Sequence, residues 1–213
     1  AHAAIPDVEF RRERQVILEE IKMYDDEPDS VAAENLSRAL FPDNALGLPI
    51  AGSAETLNAM TPERLRQYIR GAYVPSATVA VVAGRFDPAV ARRLVETALG
   101  ALPCGVPPAY VPVKARPRPV KEIRVTREIQ QVQLALGFRM FGVHAPDRKK
   151  FAANVFDCLM GRSMSSRLFQ SVRERRGLSY DIRSQIQYFD DVGGWAVTAG
   201  LATDRVSEAW AAI

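Results

Sequence analysis

Six prolines, Pro103, Pro107, Pro108, Pro112, Pro117 and Pro119, crowd the middle of this 213-residue chain. Each fixes its own φ and removes a backbone donor, so neither a helix nor a sheet ladder can run through positions 103–119. The chain is therefore expected to consist of two patterned stretches, 1–102 and 120–213, joined by a Pro-rich linker at 103–119.

In the first stretch, EFRRERQVILEEIKMY places Phe10, Ile17, Ile21 and Tyr24 at helical spacing, with no Gly or Pro before Pro28. A second helix follows Pro28-Asp29-Ser30 and stops before the turn sequence Pro42-Asp43-Asn44. The run NALGLPIAG reads as loop. Thr61 caps a third helix that starts at Pro62 and ends near Tyr73. TVAVVAG at 78–84 reads as a buried strand, and Asp87-Pro88 opens a helix through Leu99.

Beyond the linker, KEIRVTRE and QVQLALGF alternate like strands, and DRKKFAANVFDCLM reads as an amphipathic helix. SSRLFQSVRERR is another helix, with Ser165 or Ser166 near its start and Gly177 placed to end it in a left-handed conformation. SYDIRSQIQYF and GWAVTAGL read as paired strands joined through Asp190-Asp191. The closing TDRVSEAWAAI opens a helix that breaks off in mid-pattern, which suggests a fragment of something longer.

The 28 basic residues are interleaved with 25 acidic ones, leaving a net charge of only +3 and no basic stripe for nucleic acid. No apolar run approaches the ~20 residues of a membrane-spanning helix, and the first residues do not resemble a signal peptide. Cys104 and Cys158 are too far apart for a C-x-x-C site. Cys158 is expected as a small buried thiol and Cys104 at a loop edge. The glycines form no phosphate-binding loop.

On the first helix, Glu20 is ringed by Val16, Ile17, Met23 and Tyr24, and Glu13 lies seven positions earlier on the same stripe. Buried there, Glu20 would need a cation, a donor network or a raised pKa. A metal would satisfy it. It could also reach water, or pair with Arg14 or Arg92.

The runs ERQVILEEI, YDDEP, LGLPIAG and YVPSATVAVVAG resemble the segment after the inverted H-x-x-E-H motif of insulinase-type (pitrilysin family) zinc peptidases, which include the mitochondrial processing peptidase. The resemblance implies that Glu20 is the third zinc ligand and Glu13 a carboxylate supporting the site. MGRSMSSRLFQSVRERRGLSY is similar to the family's stretch that reaches over the catalytic cleft. There the resemblance makes Arg173 and Tyr180 the pair that contacts the peptide and its developing oxyanion. Without it, Arg173 reads as a solvated charge and Tyr180 as an edge-strand aromatic. Arg162 departs from the glycine-rich run usual before this stretch, which bears on substrate preference.

The fold implied is α+β: parts of two similar lobes, each a mostly antiparallel sheet with helices packed on it. Residues 1–102 correspond to the later half of the zinc lobe and 120–213 to the earlier half of the substrate-binding lobe. The implied activity is hydrolysis of unfolded peptides or presequences by a zinc endopeptidase, in the cytoplasm or periplasm of a bacterium. The alternative is a non-catalytic lobe that binds peptides or scaffolds a partner. His2 and His144 lie outside any H-x-x-E-H motif, so Zn2+ is expected in the intact parent and not in this chain alone. Expected partners are a peptide substrate and either a second copy or a complementary peptidase lobe, drawn by exposed apolar surface.

Overall fold

Two helix starts in the first half of the chain follow local capping chemistry closely. The Thr61 hydroxyl accepts the amide of Arg64, and the Asp87 carboxylate accepts those of Ala89 and Val90, each followed by proline at the first helical position. These details come from a computed structural model that describes residues 4–113 and 122–213. His2 and the later part of the Pro-rich stretch, with Lys121, lie outside the described residues.

The chain divides into two compact units, one made of residues 1–21 and 51–111 and the other of 22–50 and 112–213. Helix α1 (Asp7–Asp26) has Asp7 and Glu9 in its first turn, where acidic side chains suit the helix dipole, and ends just before Pro28. The first unit also holds α3 (Ala54–Asn58), α4 (Pro62–Ala72) and α5 (Pro88–Leu99). Helix α3 lies beyond the predicted loop and has a capping box between Ser53 and Thr56. The guanidinium of Arg66 on α4 donates to the Ile5 carbonyl at 2.6 Å and to Glu63 at 2.6 Å. Val74 is buried, and Ser76 donates to the Gly105 carbonyl at 3.1 Å.

The expected buried strand at 78–84 is not formed. The segment pairs with no described strand, and Val79 and Val81 are each 86% exposed. β-propensity describes how a side chain fits a pleated, half-buried surface, and without a neighbouring ladder it does not create a strand. The described part of KEIRVTRE, residues 122–128, is likewise without strand structure.

In the second unit a three-stranded antiparallel sheet has the order β1 (Gln131–Phe141), β3 (Val192–Ala202), β2 (Ser179–Tyr188). The β2–β3 hairpin turns at Asp190-Asp191, with Tyr188 opposite Gly193, as its sequence predicts. Successive side chains face opposite sides. One side of β1 meets α2 (Pro28–Leu40), with Leu36 and Leu40 close over Gly137. Arg139, on that side, donates to the Leu40 carbonyl and stacks 5.0 Å over the Phe41 ring. Burial pushes this guanidinium below its ordinary pKa, and the Asp43 carboxylate opposes the shift.

The other side carries the core. Trp195, Val197, Ala199 and Leu201 of β3 pack with Ile182 of β2, with Leu168 and Val172, and with Ala209 of α7 (Val206–Ala212). Helix α6 (Asp147–Asp157) runs on as a π-helical turn, Cys158–Arg162. Cys158 is exposed and free there, not buried as expected. The face of α6 that meets the sheet is the one carrying Ala153 and Asp157.

Asp157 has no exposed surface. Its Oδ1 accepts the Ser184 hydroxyl at 2.6 Å and the Trp195 indole N–H at 3.0 Å, while Arg162 Nε stands 3.5 Å from Oδ2. A Cβ on buried Gly161 would fall 2.6 Å from the backbone nitrogen of Ser184, so the π-turn lies directly on β2. Replacing Asp157 by Ala strands two buried donors and is expected to lower stability by about 3 kcal/mol. Gly161→Ala is expected to cost about 1–3 kcal/mol by overpacking. Both are to be read from urea unfolding midpoints against the wild-type chain.

Candidate functional site

Arg167 and Leu168 begin the helix predicted from SSRLFQSVRERR, and Phe169–Glu174 then winds as π-helix. The Arg175 amide reaches back five residues to the Gln170 carbonyl, at 3.0 Å. Ser166 is buried, but its hydroxyl has no hydrogen-bond partner among the described residues, so it does not cap this helix. Gly177 ends it at φ +58°, in the left-handed conformation expected of it. Its amide donates to the Arg173 carbonyl at 2.9 Å, and that of Leu178 to Val172 at 2.9 Å. The reversal sends the chain into β2, whose second residue is Tyr180.

Arg173 and Tyr180, singled out by sequence, are thereby brought together. The Arg173 guanidinium carbon lies 4.7 Å from the centre of the Tyr180 ring and 4.6 Å from that of Phe169. Such distances are well within the ~6 Å range of cation–π attraction. The Arg173 side chain keeps 34% of its exposure and Tyr180 keeps 79%. The Arg173 guanidinium makes a long ion pair, 3.7 Å, with its neighbour Glu174, and no hydrogen bond to any described residue. The site therefore presents a partly exposed guanidinium and an exposed phenol, both able to donate to an acceptor from outside.

Phe169 was not singled out from sequence. The available signal was its i, i+4 spacing to Arg173, which also suits an ordinary surface pair.

Glu13 and Glu20 are both exposed on α1, a helix with no buried residue. The expected burial of Glu20 is corrected by this: the apolar stripe around it is itself open, with Val16, Met23 and Tyr24 all exposed. Neither alternative partner reaches Glu20, since Arg14 lies over the Phe10 ring and Arg92 pairs with Glu96 at 2.9 Å. Glu20 has no hydrogen bond or ion pair with a described residue. Its assignment to a metal thus stands on resemblance and not on burial.

Among the described residues no group of three or more His, Cys, Asp or Glu side chains could hold a metal ion. His144 is exposed and shares a 2.8 Å contact with Asp190. These residues do not by themselves fit a zinc site. The second unit also has an apolar groove of about 600 Å³ between α6 and the sheet, lined by Phe138, Met140, Phe156 and Trp195 with Lys149 among the lining residues. Its walls lack the convergent polar groups that orient a small ligand, and neither Arg173 nor Tyr180 belongs to it.

Residues 59–213 match the family model described as Peptidase M16 inactive domain. An uncharacterized zinc protease of Streptomyces coelicolor is 36% identical over 202 residues, covering 92% of this chain and 44% of that protein. The uncharacterized zinc protease YmxG of Bacillus subtilis is 31% identical over 210 residues, covering 97% of this chain and 49% of that one. The chain spans about half the length of these relatives. Among solved structures, a peptidase M16 inactive domain from Pseudomonas fluorescens has the same fold, with a TM-score of 0.83 at 20% identity, over 99% of this chain and 52% of that one. A protease from Helicobacter pylori gives 0.78 at 17% identity, over 98% and 52%. No helix among the described residues is long and apolar enough to cross a membrane. With its α+β fold and the match over most of its length, the chain belongs to the peptidase M16 family, the insulinase-type zinc proteases that its motifs resemble.

Proposed function

We propose that this chain is part of a zinc endopeptidase acting on unfolded peptides or presequences, and that its own share of the work is to hold the peptide. The observation that supports this reading is the pairing of Arg173 with Tyr180, both of which keep exposed surface and neither of which spends a side-chain donor on a described residue. A planar guanidinium and a phenol can donate to a carbonyl oxygen as it gains negative charge, without either group changing protonation. Such donors act mainly where charge develops, so they favour the transition state over the bound substrate.

Glu20 is the single zinc ligand assigned to this chain in that reading, with Glu13 as its supporting carboxylate. The remaining ligands come from residues outside it, because the described residues offer no complete site. Zinc therefore belongs to the intact protein. A complementary peptidase half is the partner that fits a chain of about half its relatives' length.

A second reading has a specific observation in its favour. The family description over residues 59–213 is of an inactive domain, which suits a lobe that binds peptides or scaffolds a partner without cutting. The two readings part on the full-length gene product. If it is a peptidase, Arg173→Lys and Tyr180→Phe are each expected to lower kcat/KM on an unstructured peptide by about 100-fold with the circular dichroism spectrum unchanged. Peptide binding without cleavage by the wild type favours the scaffold.

The 213-residue chain alone is expected to hold no zinc after dialysis, by elemental analysis, and to release no peptide product. Stoichiometric zinc together with hydrolysis that Glu20→Gln abolishes would reverse that assignment.

A further inference from the structure

The Arg173 guanidinium has two aromatic rings close by, and only one of them, Tyr180, has a place in the peptide-holding reading. We infer that Phe169 is a positioning residue, which acts through Arg173 by holding its guanidinium plane so that the N–H edge faces the ligand. The inference rests on the peptide-holding role proposed for Arg173 and deepens it.

Phe169 and Arg173 are the first and fifth residues of the π-helical segment, four positions apart and so on one side of it. The guanidinium carbon lies 4.6 Å from the Phe169 ring centre. Gly177 then reverses the chain and brings Tyr180 to 4.7 Å.

An arginine on an exposed helix face ordinarily samples many rotamers, and ordering it on binding costs affinity. Here two rings restrict that freedom beforehand. Cation–π attraction consumes no N–H donor. Arg173 makes no hydrogen bond to a described residue that would compete with a ligand. Phe169 is half-buried, on the segment whose neighbouring residues Leu168 and Val172 belong to the core, so it is the more enclosed of the two rings. Tyr180, at 79% exposure, is the freer one.

The test separates the stack from its use. Proton–nitrogen correlation spectra of the 213-residue chain, with the Arg173 Nε–H signal assigned through Arg173→Lys, are expected to show that proton shifted upfield by ring currents. Phe169→Leu keeps apolar bulk without a ring. It is expected to move the signal toward that of a free arginine, and Phe169→Tyr to restore it. In parallel, an end-blocked unstructured decapeptide is titrated against the same variants. Phe169→Leu is expected to weaken its binding about fivefold to tenfold, and Phe169→Tyr to recover most of the loss.

An Arg173 signal without the upfield shift, or one that Phe169→Leu leaves in place, overturns the inference. So does equal peptide affinity across the Phe169 variants when the wild type binds. If the wild type shows the shift pattern and binds no peptide, the stack stands and the peptide-holding reading of Arg173 falls.

Discussion

A carboxylate with no surface open to water, that of Asp157, is where the second unit is joined together. It sits at the end of α6 and accepts one hydrogen bond from β2, through Ser184, and one from β3, through Trp195. An unpaired buried carboxylate is costly, and this one is tolerated because two donors and the Arg162 guanidinium converge on it. The same contacts set the depth at which α6 and its π-turn lie on the sheet, which is why Gly161 has no room for a side chain. The face of the sheet that receives α6 also receives Leu168 and Val172. The segment that carries Arg173 is therefore fixed to the same framework.

The candidate site follows from two local departures from regular structure. The π-winding of Phe169–Glu174 and the left-handed Gly177 are both compact ways of changing direction, and together they place two aromatic rings around one guanidinium. Val172, buried within the π-helical segment, and Leu178, buried just after Gly177, anchor the chain on either side of Arg173. A guanidinium beside two rings that take none of its N–H donors is suited to bidentate or carbonyl recognition. This is the sense in which the fold, rather than any one residue, makes the arginine available.

Much of this was legible in the residues. Thr61 and Asp87 mark helix starts because a side-chain oxygen next to a proline has one favoured role there. The hairpin β2–β3 could be read from alternation and its acidic turn, and Gly177 from the helix it terminates. Arg173 and Tyr180 were legible through resemblance. Other readings failed for reasons that share a cause. TVAVVAG has the composition of a strand but no described partner, and Cys158 and Glu20 have apolar neighbours in sequence yet lie exposed. Helical or strand neighbours describe what surrounds a residue along its own element. They do not say whether a second element covers it.

By itself, the sequence determined the helix starts at Thr61 and Asp87, the α+β class and the family, because caps, alternation and motif spacing act over a few residues. Only the tertiary structure decided that residues 22–50 belong with the C-terminal sheet, that Asp157 is its buried junction, and that Phe169 stacks on Arg173. Those outcomes depend on which surfaces meet, which the propensities of single residues do not encode.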